Sequence, residues 1–332
     1  MHRSLESIFK AFEGLKVLIL GDVMVDSYIW GKVDRISPEA PVPIVLISKR
    51  EKRLGGAGNV ALNIQAMGAV PILCSMIGDD AESGILLDLM KKKGLSNEGL
   101  LKSKNRITTL KERVISGSQH ILRVDSETDQ ELTEIEENEL LSQIKKFIPD
   151  VDVIIFQDYD KGNLNKNIIN QVINFARQHQ VPTIVDPKKK NFLHYYKATL
   201  FKPNLKELRE GLKLDFNSGN MEEIKEAVSQ LREKLNLENT LITLSEKGVY
   251  MDSKEGSFHL PAHVRSISDV SGAGDTVICI AALCTALQLS PKFTAGLSNL
   301  AGGLVCEHVG VVPIDKKSLY EEAENNGLLT ML

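Results

Sequence analysis

The sequence predicts an α/β fold: a three-layer sandwich in which a mostly parallel sheet carries helices on both faces and a small β lid. Three observations predict it. Short apolar runs alternate with amphipathic helical patterns along most of the chain, as in parallel sheets that are covered on both sides. Polar residues follow these runs, at the strand ends where open α/β sheets bind ligands. Two segments, at about 30–50 and 106–125, interrupt the alternation with extended sequence.

The regular elements follow from these patterns. The first apolar run ends in glycine and is typical of a strand buried on both faces, and an acidic amphipathic segment opens a second series of alternating elements. The sequence shows no repeat and no flexible linker, so we predict one domain over residues 1–332. We predict strands over 17–21, 151–156, 181–185, 200–201 and 240–244, and helices over 1–15, 131–149, 168–179, 205–212, 222–235 and 293–307.

The two interrupting segments predict a small separate sheet. Residues 42–47 are extended because the prolines around them exclude a helix. Strands are predicted over 109–115 and 120–124, with Ser116-Gly-Ser118 as their turn. We expect these segments to form a β sheet that is either a lid over a substrate site or a dimer contact.

Composition excludes several classes of function. A net charge of -4 gives no basis for holding nucleic acid or an anionic membrane through bulk charge. No apolar run is long enough to span a membrane, and the chain is predicted to be cytoplasmic. Its cysteines form no C-x-x-C pair and indicate buried thiols in a reducing compartment. Pro261 lies between His259 and His263 and argues against a zinc site there, and we assign no residue as a metal ligand.

The most informative stretch is Asp269-Val-Ser-Gly-Ala-Gly-Asp-Thr276, which an apolar, alanine-rich run follows at once. Gly272, Ala273 and Gly274 allow a tight turn that brings backbone N–H groups to the N-terminus of a buried helix, where an anion is stabilised. Asp275 falls in the first turn and is a candidate general base beside that anion hole. The alternative is that Asp275 and Thr276 only cap the helix.

Polar residues cluster after each predicted strand. One such cluster is more often a solvated loop than a site, but several in register indicate a ligand crevice at the carboxyl ends of the strands. The clusters are Asp22 and Asp26, then Asp158, Asp160 and Lys161, then Asp186 and Lys188, then Asn204 and Glu207, and finally Ser245, Glu246 and Gly248.

A glycine turn between the lid segments allows two interpretations. Gly56-x-Gly58-x-x-Ala61 matches the dinucleotide fingerprint, which would make the protein an NAD-dependent dehydrogenase. That fingerprint should follow a buried strand, whereas residues 49–53 are all charged. A turn that approaches a polyhydroxy substrate, with Asn59 reaching a hydroxyl group, fits at least as well.

The sequence resembles the ribokinase-like (phosphofructokinase B) carbohydrate kinases over nearly its full length. No Walker A motif occurs, which excludes a P-loop kinase. The family motifs are an aspartate-bearing first strand, Gly-Gly-x-x-Asn at 55–59, Asn204-x-x-Glu207 and Gly272-Ala-Gly-Asp275. The resemblance implies a ribokinase-like fold with ATP as phosphoryl donor. We also expect Mg²⁺, which phosphoryl transfer uses to neutralise charge, and a homodimer formed through the β lid.

The resemblance also implies roles for individual residues. Asp275 would activate the anomeric hydroxyl, and Gly272, Ala273 and Gly274 would form the anion hole. The sugar phosphate would bind to Asp22, Asp26, Gly56, Asn59, Arg113 and Lys161. The nucleotide would bind to Lys188, Asn204, Leu205, Lys206, Glu207, Thr243, Ser245, Gly248 and Asn299.

Within this family the sequence looks most like the kinase domains of ADP-heptose synthesis, a route to the lipopolysaccharide core. The specific marks are Gly21-Asp-Val-Met-Val-Asp26, Arg35-Ile-Ser-Pro-Glu-Ala-Pro-Val-Pro43, Asp158-Tyr-Asp-Lys-Gly162 and Asp186-Pro-Lys188. The implied reaction phosphorylates D-glycero-β-D-manno-heptose 7-phosphate to the 1,7-bisphosphate. The sequence has no H-x-G-H motif, so we expect another protein to carry out adenylylation.

Two departures and two alternatives accompany the resemblance. Gln157 stands where the family has a smaller residue, and Glu307-His308 stands where a Gly-Lys pair is usual. One alternative is a ribokinase-like kinase of another sugar or sugar phosphate. The other is a protein that binds a sugar phosphate without catalysis. The intact Asp275 and its neighbouring glycines argue against the non-catalytic alternative.

Overall fold

A computed structural model describes residues 4–117, 119–263 and 265–332. Nine strands form one sheet in the order β13-β12-β11-β10-β9-β8-β1-β4-β5, and four form a second sheet in the order β3-β2-β6-β7. The strands are β1 Lys16–Gly21, β2 Val23–Ile36, β3 Pro43–Gly56, β4 Val70–Gly78, β5 Leu100–Ser103, β6 Thr109–Ser116, β7 Gln119–Ser126, β8 Val153–Gln157, β9 Thr183–Asp186, β10 Leu200–Phe201, β11 Asn239–Thr243, β12 Val249–Ser253 and β13 Gly256–Leu260.

Ten α-helices cover the described parts of the chain. They are α1 Leu5–Ala11, α2 Ala57–Ala66, α3 Ala81–Lys92, α4 Glu134–Phe147, α5 Lys166–Gln178, α6 Leu205–Leu212, α7 Met221–Leu235, α8 Ala273–Ala286, α9 Pro291–Val305 and α10 Lys316–Asn325. Within the described residues, none of these helices combines the length and the apolar character that a membrane crossing requires.

The large sheet is parallel except for the hairpin of β12 and β13 at one edge. Alternate side chains of β1 enter two separate hydrophobic clusters, because successive residues of a strand point to opposite faces. Val17 and Ile19 join the cluster that includes residues of α2, α8 and α9, whereas Leu18 and Leu20 join the cluster with α4, α5 and α7. Burial of both faces confirms the predicted three-layer sandwich.

The sequence predictions identify most of the large sheet. The helix predicted over 1–15 covers only Leu5–Ala11 in the structure. The first three residues of that predicted range lie outside the described part of the chain, as does Ser118 of the predicted lid turn. The strands β4 and β5, the helix α3 between them and the hairpin at the sheet edge were not predicted.

The second sheet is the predicted lid. It begins closer to the main sheet than the sequence suggests, because Asp22 alone separates β1 from β2. The strand β3 continues to Gly56, so the charged residues 49–53 are part of a lid strand at a sheet edge rather than a central strand. The carboxyl ends of β1, β8, β9, β10 and β11 lie side by side, and the lid strand β2 follows directly after the end of β1.

Candidate active site

The helix α8 begins at the predicted glycine turn. Gly272 is its N-cap residue with a φ of 82°, a left-handed conformation that glycine adopts without strain. Asp275 lies in the first turn and is 6% exposed. Burial raises the pKa of its carboxyl to about 6, because removal from water disfavours the charged form. A carboxylate with this pKa at a helix N-terminus is suited to accept a proton near neutral pH.

Three side chains from distant segments hold the Asp275 carboxylate. Asn59 Nδ2 at the start of α2 donates to Oδ2 at 2.8 Å. Gln157 Nε2 at the end of β8 and the Tyr159 hydroxyl donate to Oδ1 at 3.1 and 2.8 Å. Asn59, which was predicted to bind the sugar, therefore contacts the candidate base directly. Tyr159 was not predicted as a site residue, and Gln157 was noted only as a departure from the family pattern.

A buried lysine lies beside the N-terminus of α8. Lys202 Nζ lies 3.0 Å from Asp186 Oδ1, and the two side chains are 4% and 7% exposed. A Cβ atom on Gly274 would lie 3.6 Å from this ammonium group, so the lysine adjoins the predicted anion hole. Gln157 Nε2 also donates to Asp186 Oδ2 at 3.2 Å. Lys202 was not among the predicted site residues, although it directly follows a predicted strand as the other polar clusters do.

Two predicted substrate residues meet on the inner face of the lid. Arg113 of β6 forms an ion pair with Asp26 of β2. A Cβ atom on Gly55 would lie 2.1 Å from Asp26 Oδ2, so a glycine is required where the turn approaches this carboxylate. Lys161 lies nearby in sequence to Tyr159 and pairs with Glu127 at 2.7 Å. Because Glu127 directly follows β7, this ion pair links the loop after β8 to the chain that leaves the lid.

Asp22 makes contacts that were not predicted. Its Oδ2 accepts hydrogen bonds from the backbone N–H groups of Tyr159 and Lys161, at 2.9 and 3.1 Å. Its Oδ1 accepts from Asn163 Nδ2 at 3.0 Å. This carboxylate is 1% exposed, and its hydrogen bonds position the loop after β8. The sequence placed Asp22 at the correct strand end, but the direction of its side chain depends on the loop after β8.

The Asn204-x-x-Glu207 motif forms a capping box at the start of α6. Asn204 Oδ1 accepts from the Glu207 N–H, and Glu207 Oε2 accepts from the Asn204 N–H, both at 2.9 Å. Glu207 Oε1 pairs with Lys188, whose Nζ lies 5.6 Å from the centre of the Tyr159 ring. Lys188 is thus brought to the active centre. Lys206 is not, because its exposed side chain extends toward Glu210.

The other predicted nucleotide residues lie along the neighbouring strand ends. Thr243 forms an isolated parallel bridge with Asn204, beside which Leu205 begins α6. Gly248 has a φ of 88°, and a Cβ there would lie 2.0 Å from the Leu260 carbonyl oxygen. Asn299 Nδ2 donates to the Pro261 carbonyl at 2.8 Å, so α9 is tied to the end of the same hairpin.

Ser245 is the last of the predicted nucleotide residues. It is exposed with a φ of 54° and begins the short turn before Gly248.

Among the described residues, no three His, Cys, Asp or Glu side chains are grouped as a metal cage. Kinase Mg²⁺ is held by nucleotide phosphates and one or two carboxylates. Glu207, which pairs with Lys188 near Tyr159, fits that pattern.

The family model for pfkB family carbohydrate kinases matches residues 15–317. The chain belongs to this family. It is therefore a carbohydrate kinase, and kinases of this family use ATP with Mg²⁺. The finding confirms the resemblance and removes the NAD-dependent dehydrogenase as an alternative, since the match includes the glycine turn at 55–59.

The relatives include the bifunctional proteins HldE. The protein from Citrifermentans bemidjiense is 35% identical over 96% of this chain and 66% of its own length. The protein from Nitratiruptor sp. is 38% identical over 92% of this chain and 64% of its own length. The chain thus spans less than two thirds of the curated relatives that it matches.

Solved structures confirm the ribokinase-like fold. Phosphofructokinase-2 from Escherichia coli in complex with fructose-6-phosphate superposes with a TM-score of 0.77 at 17% identity, covering 94% of this chain and 99% of that one. Arabidopsis thaliana ribokinase complexed with ribose and ATP gives a TM-score of 0.70 at 15% identity, covering 96% and 100%. At these identities the likeness shows the fold alone.

Proposed function

We propose that this kinase transfers the γ-phosphoryl group of ATP to the anomeric hydroxyl of D-glycero-β-D-manno-heptose 7-phosphate, giving the 1,7-bisphosphate. The main support for this reaction is the position of Asp275, a buried acid at the N-terminus of α8 whose pKa is raised to about 6. Two findings support the substrate: the relatives are HldE proteins, and the sequence carries the Arg35-Ile-Ser-Pro-Glu-Ala-Pro-Val-Pro43 run.

The proposed roles follow the geometry. Asp275 accepts the proton of the acceptor hydroxyl while N–H groups of the turn at residues 272–274 stabilise the charge on the phosphoryl group. Because the Ala273 N–H already donates to the Val270 carbonyl at 3.3 Å, Gly272 and Gly274 supply the main donors in this proposal. Lys202 and Lys188 add positive charge on that side of the centre, and Mg²⁺ on the nucleotide neutralises the phosphates. Asn204, Glu207 and the other nucleotide residues bind ATP at the strand ends.

The sugar phosphate binds under the lid in this proposal. Asp26, Gly56 and Asn59 line the sugar side, and Arg113 and Lys161 supply cations for the 7-phosphate. Both cations are already paired with carboxylates, Arg113 with Asp26 and Lys161 with Glu127. A phosphate would therefore exchange partners with existing ion pairs rather than fill an unpaired cationic pocket.

An assay of ADP release tests the reaction and its substrate. Heptose 7-phosphate is compared with ribose and with fructose 6-phosphate, using wild type, Asp275→Asn and the control Asp315→Asn at the exposed N-cap of α10. We expect turnover only with the heptose phosphate, with about a 10²- to 10⁴-fold loss in Asp275→Asn. Turnover on another sugar would refute the substrate, and full activity of Asp275→Asn would refute the base.

The proposal includes a homodimer formed through the lid. Ile47 of β3 and Leu122 and Val124 of β7 are about half exposed (48%, 56% and 45%) and share the face of the lid opposite Arg113. Burying these side chains against a second copy would remove apolar surface from water. Leu122→Lys should shift the mass measured by light scattering from dimer to monomer. A wild-type monomer at micromolar concentration would refute this part of the proposal.

A further inference from the structure

The active centre contains a tyrosine whose role is not explained by substrate or nucleotide binding. Tyr159 donates its hydroxyl proton to Asp275 Oδ1 at 2.8 Å, and Gln157 Nε2 donates to the same oxygen at 3.1 Å. The other oxygen, Oδ2, accepts from Asn59 alone among the described residues. Each carboxylate oxygen has two acceptor positions, so Oδ1 is fully used and one position on Oδ2 is open.

Tyr159 is fixed in this position from both ends. Its backbone N–H donates to Asp22 Oδ2 at 2.9 Å, which holds the loop after β8 against β1. Lys188 Nζ lies 5.6 Å from the ring centre, within the range of a cation–π interaction. Burial and the neighbouring carboxylates of Asp275 and Asp186 raise the pKa of the phenol, so it keeps its proton and remains a donor.

We propose that Tyr159 is a positioning residue of the kinase reaction: its hydroxyl, together with Gln157, occupies Oδ1 of Asp275 and leaves Oδ2 as the oxygen that accepts the proton. The inference rests on the proposed function of Asp275 as the base. The hydroxyl O–H bond of the sugar breaks and its proton passes to Oδ2. The sugar oxygen bonds to the γ-phosphorus as the bond to ADP breaks, and ADP leaves with that electron pair.

The hydrogen bond from Tyr159 also affects the pH range in which Asp275 is ionised. A donor to the carboxylate stabilises the ionised form, so the bond from Tyr159 lowers the pKa of Asp275 against the effect of burial. Besides Tyr159, the charged or titratable groups that face Asp275 are Asp186, Lys202, Lys188 and the Cys279 thiol. Tyr159→Phe leaves all four in place. The acidic limb of the pH–rate profile should therefore move to higher pH in this variant.

The test compares Tyr159→Phe with Tyr195→Phe. Tyr195 also donates to a buried carboxylate, Asp158 Oδ2 at 2.7 Å, but it does not contact Asp275. The pH dependence of kcat and kcat/KM is measured with heptose 7-phosphate and saturating ATP. In Tyr159→Phe we expect kcat to fall about 10- to 100-fold, the acidic limb to rise by about one pH unit, and KM to stay within about threefold. Tyr195→Phe should leave the limb unmoved.

Two results would overturn the inference. An unchanged limb and kcat in Tyr159→Phe would show that the hydroxyl does not position the base. A lower KM with an unchanged limb would show that the phenol instead stands where the acceptor hydroxyl binds. If wild type phosphorylates no sugar, the proposed function fails. Titration of the Asp275 carboxyl carbon by NMR, assigned with Asp275→Asn, then still decides whether Tyr159 holds this carboxylate.

Discussion

The buried ion pair of Lys202 and Asp186 gives a prediction with two separable consequences. Lys202→Met removes the ammonium group and leaves Asp186 as an uncompensated charge next to Asp275, both of them bound to Gln157. Because both partners are less than a tenth exposed, solvent does not screen the loss. Removing one partner of a buried pair destabilises a protein by about 3–5 kcal/mol, and we expect the free energy of unfolding to fall by that amount.

The double variant Lys202→Met/Asp186→Asn separates folding from catalysis. It removes both charges of the pair, and an asparagine oxygen can still accept the bond from Gln157. Replacing a whole buried pair is often close to neutral, so most of the lost stability should return. The positive charge beside the anion hole stays absent, however. We therefore expect kcat to remain about a hundredfold below wild type, as when one stabilising group at a developing anion is removed.

The assays are urea denaturation followed by circular dichroism and ADP release under saturating substrates. The matched control is Arg232→Met, which breaks a half-buried pair with Asp252 at 3.1 Å, on the hairpin edge of the sheet. That control should lose stability with kcat unchanged. If the double variant regained wild-type kcat, Lys202 would serve the fold alone and its proposed electrostatic role would be refuted.

Two further predictions concern stability. Burial raises the pKa of Asp158 to about 7, so the stability this group contributes is full below about pH 4 and is lost as the pH rises toward 7. The free energy of unfolding of wild type, measured by urea denaturation, should fall relative to Asp158→Asn between pH 5 and 8, and equal slopes would contradict this. Comparison with the variant cancels the opposite contribution of histidines whose pKa burial lowers. Gly56→Ala should destabilise by about 1–3 kcal/mol in the same assay, because φ is 56° and its Cβ would lie 2.4 Å from the Asp22 carbonyl oxygen. Gly14→Ala, with φ of 79° and no atom within 4 Å, bears only the backbone strain and should lose less; equal losses would contradict the predicted clash.

The sequence predicts those parts of the site that are local in the chain. The glycine turn, the buried helix after it and Asp275 in its first turn all lie within one short stretch, and their geometry follows from backbone preferences. The strands β4 and β5 were missed because Pro71 and the polar Ser75 weaken the apolar pattern of the first, and the second has four residues.

Contacts between distant segments could not be predicted in the same way. Tyr159 and Asp275 are 116 residues apart, and their hydrogen bond depends on the loop that Asp22 holds. A rule that places polar residues at strand ends locates Asp22 and Tyr159 near the crevice. It does not give the direction of either side chain, which is why the contact of Asp22 with the loop and that of Tyr159 with Asp275 were not predicted.

The first departure from the family pattern has a partner in the fold. Gln157 bridges Asp186 and Asp275 with one amide group, at 3.2 and 3.1 Å. The charges of two buried carboxylates that share one amide donor repel each other, and the shared donor reduces that repulsion without adding charge. A smaller side chain at 157 would not reach both oxygens. The glutamine therefore belongs to the arrangement that sets the charge of the candidate base.

The second departure acts on the segment that leads into the anion hole. Glu307 accepts a hydrogen bond from Arg265 Nη1 at 3.0 Å, and Nη2 of the same arginine donates to Glu322. The backbone N–H groups of Ser268 and Asp269 donate to the Cys306 carbonyl, at 2.8 and 3.2 Å. The end of α9 thus holds residues 265–269, three residues before Gly272. A glutamate at 307 is used to fix this approach, so its presence alters how the anion-binding turn is supported and leaves the turn itself intact.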